Sequence, residues 1–264
     1  MEEDKIDLGG SGGMKIESKS KVGKWFENYF YYYKWHTLIA IGLIFAITFC
    51  TVQICRRETY DSYILYAGSY DIRGSKKESD ADLSEYTRVY KSLLEAVRDF
   101  DENGKKTASF ESLYMLSNDE ILALEKELAD KKANGEEAQE INLTLISENN
   151  KTFKERMVYG EYYVCILSSS LYDAYKSIDG VAMFVPLTEY VEDGNSVEYL
   201  DDCAIYLKSL DFASLPGMEN MPEDTVVTLR TKSAVSSRFN KKKNNEYYER
   251  SIEVIKNIIN YENS

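Results

Sequence analysis

From Leu38 to Ile54 the chain reads LIAIGLIFAITFCTVQI, 17 residues without a charge. A helix rising ~1.5 Å per residue covers about 26 Å over this length, close to a bilayer core of ~30 Å. Aromatic residues crowd its N-terminal side: Trp25, Phe26, Tyr29, Phe30, Tyr31, Tyr32, Tyr33 and Trp35. Such rings favour the headgroup level, so Trp25, Phe26, Tyr29, Tyr32, Tyr33 and Trp35 are expected to form a membrane belt. Arg56 and Arg57 close the run on the other side. A core helix of a soluble domain has no use for that flanking pattern. The pattern predicts a single transmembrane helix.

The polar stretch before the run is long for a cleaved signal peptide, and no small-x-small site comes after it. Bulky residues precede Cys50 and Cys55, which argues against lipidation at either. The expectation is an uncleaved signal anchor. Lys19, Lys21, Lys24 and Lys34 lie before the span, while Arg56, Arg57 and Arg73 lie after it. This charge count hardly discriminates, but a first span after a short tail usually exports the domain C-terminal to it. The expected arrangement is an N-terminus in the cytoplasm and a C-terminal domain outside the cell membrane.

The chain then divides into three parts. Residues 1–23, rich in Gly, Ser and Lys, read as a flexible cytoplasmic tail; residues 24–57 hold the aromatic segment and the span; residues 58–264 form one extracytoplasmic domain. In that domain Ser62–Ala67 predicts a strand, and the stripe Leu83, Tyr86, Val89, Tyr90, Leu93, Leu94, Val97, Phe100 an amphipathic helix, with Asp80 or Asp82 as its cap. A strand is expected at Ser109–Leu116, a helix over Asn118–Lys132, a strand at Ile141–Ile146 and a helix over Glu148–Tyr159. Tyr162–Leu167 is the most apolar strand and runs into Ser168-Ser169-Ser170 and a helix through Tyr175. Strands at Cys203–Leu207 and Thr225–Thr231 and a last helix from about Asn244 to Tyr261 complete the order. Strands alternating with helices predict an α/β domain with a mostly parallel or mixed sheet.

Composition narrows the function. The domain carries 24 basic and 39 acidic residues, a net of −15, and the whole chain has a pI near 4.8. A chain this acidic is poorly suited to gripping nucleic acid through phosphates, and its domain should be repelled by anionic headgroups. The only histidine, His36, lies at the membrane boundary, so neither a Ser-His-Asp nor a Cys-His site can form in the domain. No cofactor motif is present. The expectation is a protein that binds and does not catalyse.

Three smaller features invite chemistry. Asp99-x-Asp101-x-Asn103-Gly104 matches the opening of an EF-hand loop, but the twelfth position is Phe110, and Lys105 and Lys106 bring positive charge into the cage. It reads as a polar Asn-Gly turn, with calcium binding as the alternative. Cys165 and Cys203 fall in apolar strands and are either two buried thiols or, if those strands are neighbours, a disulfide. Lys241-Lys242-Lys243 reads as a solvated loop, with a cell-wall polyanion as the alternative contact.

The stretch from Phe153 to Leu187, FKERMVYGEYYVCILSSSLYDAYKSIDGVAMFVPL, resembles one lobe of the extracytoplasmic solute-binding proteins of bacterial ABC importers: helix, Gly-acid turn, apolar strand, small residues, short helix and a loop ending in Pro-Leu. The resemblance implies a cleft wall at this strand, with Ser168, Ser169, Ser170 and Tyr172 at its edge, facing a small solute. The aromatic stretch Phe30–Thr37 is also similar to that of small membrane-anchored proteins of Clostridia-like bacteria. Expected partners are therefore the lipid bilayer, a small solute, and, in the alternative reading as an assembly subunit, a membrane transporter or envelope protein.

Overall fold

The computed structural model describes residues 21–55, 59–73, 84–135, 141–192, 194–232 and 241–262. They fall into two compact units, Met1–Thr59 and Tyr60–Ser264.

Among the described residues the first unit holds one helix, α1 (Lys21–Cys55). Within it Tyr31–Val52, 22 residues, is long and apolar enough to cross a membrane, and none of it is buried. At ~1.5 Å per residue these residues span about 33 Å, which matches the hydrocarbon thickness. Two threonine hydroxyls inside the run are satisfied locally: Thr48 and Thr51 donate to the carbonyls of Ile44 and Ile47, each at 2.8 Å. Such pairing within the helix is what a lipid environment requires of a hydroxyl.

The second unit contains β1 (Ser62–Gly68), α2 (Glu85–Ala96), β2 (Ala108–Tyr114), α3 (Asn118–Ala133), α4 (Leu143–Tyr159), β3 (Val164–Ser168), α5 (Ser169–Tyr175), β4 (Ser177–Ile178), β5 (Val181–Ala182), β6 (Tyr199–Asp201), β7 (Ala204–Tyr206), β8 (Thr225–Leu229) and α6 (Lys241–Ile259). Six strands form one sheet in the order β2-β1-β3-β8-β7-β6, and β4 and β5 form a separate hairpin. Alternation along β1 divides the core. Ile64 and Tyr66 pack with Val89 and Leu93 of α2 and Val254, Ile255 and Ile258 of α6. Leu65 and Ala67 pack with Phe153 and Met157 of α4 and Leu171 of α5. Both sheet faces are therefore covered, which explains the near-continuous apolar run of β1.

The sheet is mixed, parallel in one half only. β1 runs parallel to β2 and β3, whereas β8 is antiparallel to β3 and β7, and β7 to β6. The crossover helices that enforce parallel strands occur only between the first three strands. Past β5 the chain moves between strands through tight turns and short 3₁₀ segments.

The strand expected at Ile141–Ile146 is absent. Asn142 accepts the Leu145 N–H at 3.0 Å and caps α4, whose inward residues Ile146, Phe153 and Met157 recur at helical spacing. The apolar alternation of Leu143 and Leu145 points outward instead; both are exposed. Asp80 and Asp82 lie outside the described residues, and Ser84 caps α2 by accepting the Thr87 N–H at 3.3 Å. At α3 the expected start holds: Ser117 and Glu120 form a reciprocal capping box.

Gly217 seats the long loop before β8 against α2. Its φ is +86°, and a Cβ there would lie 2.9 Å from both Cγ2 and the backbone N of Val89. Ser92 Oγ holds the same turn by donating to the Pro216 carbonyl at 2.8 Å. Left-handed strain of ~1–2 kcal/mol adds to overpacking of about the same size or more. Gly217→Ala is expected to lower stability by about 3 kcal/mol, read as an earlier urea midpoint at unchanged slope.

Candidate functional site

In an open α/β sheet, ligands meet the carboxyl ends of the parallel strands. Here those ends are Gly68 of β1, Tyr114 of β2 and Ser168 of β3. The serine run stands at this edge. Ser168 is buried and its Oγ lies 3.2 Å from that of Ser170. Ser169 donates its backbone N–H to the Asp224 carbonyl at 2.9 Å and its hydroxyl to the Asp224 carboxylate at 3.3 Å. Ser170 is exposed. Of the three, Ser170 presents the most accessible hydroxyl.

Tyr172 is placed differently. It is 1% exposed, meets Phe184 with the rings tilted by 31° and their centroids 5.1 Å apart, and donates to Asp201 Oδ1 at 2.6 Å. The same oxygen accepts the Cys203 N–H at 2.9 Å. Burial, then the Asp201 carboxylate, raises the Tyr172 phenol above its ordinary value. Its hydroxyl ties α5 to the β6–β7 turn.

The edge also holds residues that sequence reasoning passed over. Tyr66 folds back so that its hydroxyl accepts the Tyr70 N–H at 3.2 Å, and a Cβ on Gly68 would meet that hydroxyl at 2.9 Å. Tyr70 donates to Glu85 at 3.2 Å, and Asn220 donates to the same carboxylate oxygen at 2.8 Å. A glycine directly after an apolar strand was the one available signal, since such a glycine marks close approach by another group. Separately, a polar cavity of about 270 Å³ is lined by Asn195, Ser209, Asp211 and Tyr261, among others, and by none of the serine run.

The loop after α2 is built as a polar turn. Asp99 accepts the backbone N–H groups of Asn103 and Gly104 at 3.2 and 2.7 Å, and Asp101 accepts the Asn103 side-chain amide at 2.8 Å. Asp61 approaches so that one carboxylate oxygen from each of Asp61, Asp99 and Asp101 lies within 4.8 Å of the others. Asp61 is committed elsewhere, accepting from Phe100 N and from both the N–H and hydroxyl of Thr107. These bonds fix the loop to the start of β1.

Neither cysteine of the domain offers a thiolate near neutral pH. Burial pushes the Cys165 thiol up to about 12, and burial with Asp201 and Asp202 raises that of Cys203. A disulfide is excluded by topology. Cys165 pairs with Thr228, and Thr228 with Ala204 on its other side, so β8 separates the two cysteines. Two strand spacings of about 4.8 Å exceed the ~7 Å Cα limit.

Buried phenols give the domain an alkaline limit. Burial pushes Tyr70 and Tyr248 up to about 12, from an ordinary 10.0. Between those values the unfolded chain has released the protons and the folded one retains them, so stability falls as pH rises. Melting temperature is expected to hold up to about pH 10 and then to fall steadily towards pH 12. Tyrosinate absorbance should rise together with unfolding.

On α1, Trp25, Tyr29 and Tyr33 stack one turn apart, with ring centroids at 5.5 and 5.4 Å. Tyr32 and Trp35 lie off that row and are 68% and 69% exposed. The side chain of Phe26 lies outside the described residues.

No protein-family model matches the chain, and comparison with curated proteins and with solved structures likewise returns no match.

Proposed function

We propose that the chain is a single-pass membrane protein whose N-terminal helix holds an extracytoplasmic α/β domain at the cell membrane, and that this domain binds and does not catalyse. The observation that carries this reading is α1. Its stretch Tyr31–Val52 has no buried residue and carries exposed aromatics at one end. Outside a membrane that surface would be a large exposed apolar patch, which soluble monomers avoid.

The ligand of this reading is a small solute met at the carboxyl edge of β1 to β3, where Ser169 bonds Asp224 and Ser170 is exposed. The solute-binding resemblance of Phe153–Leu187 supports it, as does the β3-serine-α5 order. A second reading, an assembly subunit of a transporter or envelope complex, is favoured by exposed leucines. Leu122, Leu143 and Leu145 are 63%, 51% and 40% exposed on α3 and α4, where a protein partner would cover them.

One paired experiment separates the two. A solute library screened by thermal shift on the detergent-solubilised protein should raise its melting temperature for at least one compound class, and S170A should remove that rise. Recovery of a stoichiometric membrane protein from solubilised membranes, with no solute-induced shift, would favour the assembly subunit.

A further inference from the structure

We propose that the polar cavity between the end of α6 and the loop before β6 binds a small organic cation, a short alkyl diamine. This site lies apart from the serine run and does not depend on what that edge binds.

The cavity measures about 270 Å³ and lies where the end of α6 meets the chain before β6 and after β7. Its walls are fixed by hydrogen bonds of the domain itself. Asn260, just past α6, accepts the Glu192 N–H and the Asn195 side-chain amide, each at 3.0 Å, and donates to the Tyr190 carbonyl at 2.8 Å. One amide thus pins the loop before β6 to the helix. At Ser209, which also lines the cavity, the hydroxyl donates to the Tyr206 carbonyl at 2.7 Å and accepts the Glu198 N–H at 3.0 Å. A site held in shape beforehand loses less affinity to ordering.

Three features of the lining favour a cation. Asp211 and Glu262 both line the cavity, and among the described residues neither carboxylate has a hydrogen-bond or ion-pair partner. The 19-residue α6 ends here at Ile259, which brings the negative end of its dipole to the cavity. Tyr261 adds a ring, set edge-on to the buried Phe212 with centroids 5.4 Å apart, and aromatic rings attract organic cations. Basic residues do not cancel these terms. Among the described residues no lysine or arginine lines the cavity. Lys256, in the last turn of α6, lies over the Tyr190 ring at 5.5 Å, and Lys208 donates to the Glu219 carbonyl at 2.6 Å. Against these two lysines stand Asp211, Glu262 and the neighbouring Glu192 and Glu198, so the surroundings are negative.

The remaining lining selects the kind of cation. Calcium takes about six to eight oxygen ligands. Among the described residues three carboxylates gather only at Asp61, Asp99 and Asp101, and none of those lines this cavity. Val197, Leu210 and Ile259 instead give it an apolar part, the last two being buried. A short alkyl chain suits that surface, and an ammonium at each end supplies a partner for each of the two carboxylates.

Calorimetric titration of the full chain in detergent with 1,4-diaminobutane tests this. Saturable binding of one diamine per chain is expected. D211N and E262Q should each weaken it about tenfold, the low end for a hydrogen bond to a charged group. Both variants keep the side-chain shape, and an unchanged melting temperature without diamine would show that the fold is intact. S170A should bind the diamine as the parent does, and the uncharged 1,4-butanediol should not bind. Absence of saturable binding up to roughly 10 mM diamine, or parent-like affinity in both carboxylate variants, overturns the site. Loss of binding in S170A overturns it too, by placing the amine at the carboxyl edge of the sheet. Butanediol binding as well as the diamine overturns the cationic class, and displacement of the diamine by an equal concentration of calcium overturns the organic ligand in favour of a metal ion.

Discussion

Arg230→Met is expected to destabilise the domain by about 3–5 kcal/mol. Arg230 sits directly after β8 and is fully buried. Its Nε donates to the Tyr162 carbonyl at 3.0 Å, Nη1 to that of Met157 and Nη2 to that of Gly160. Two of those carbonyls belong to the last turn of α4 and its cap, the negative end of the helix dipole. The Tyr163 ring covers the guanidinium, with the centroid 5.0 Å from Cζ. One side chain thus joins the end of α4, the entry to β3 and the exit from β8. Methionine fills the space but leaves three buried acceptors unmet, each costing about 1–3 kcal/mol. Relief from burying a cation returns part of that, and burial indeed lowers the Arg230 pKa from its ordinary value. The net loss should appear as a fall of roughly 10 °C in melting temperature. Arg230→Lys should recover little of it, because an ammonium cannot present the forked donor geometry. A variant melting within a degree or two of the parent would refute this role.

The second large effect concerns the membrane. Two arginines at the centre of α1, Ile44→Arg with Ile47→Arg, cost about 3 kcal/mol each on insertion. The double variant is expected to leave the membrane fraction while its domain melts where the parent does. The unchanged melting is expected because the residues of both core clusters all lie within the second unit. Retention in the membrane after carbonate washing would show that α1 is not what holds the protein there.

The long apolar helix and the first half of the sheet were legible in the sequence because they rest on local patterns. The apolar run 38–54 and the strand SYILYA need no knowledge of distant residues. The start of α3 is equally local, since Ser117 and Glu120 close a capping box across three residues. Ile141–Ile146 misled because its alternation is compatible with a strand, and the Asn142 side chain, by capping α4, decided for helix. The direction of β8 was not legible, since it depends on how the chain returns through the long loop held by Gly217 and Ser92. At the candidate site the serine run was readable as small residues after an apolar strand. That Tyr172 would turn inward to Asp201, 29 positions away, was not. Arg230 escaped notice for the same reason: an arginine after a strand looks exposed until its three carbonyl partners come together 68 to 73 residues away. Local signals gave the elements, and long-range polar bonds decided their faces.

The central claim is that α1 lies in the membrane with the domain outside. Protease added to intact cells, with subsequent fractionation and detection of both ends of the chain, tests it most directly. The account predicts loss of the C-terminal domain while a membrane-bound N-terminal fragment containing α1 survives. An intact polypeptide, or full-length protein in the soluble fraction of lysed cells, would contradict it.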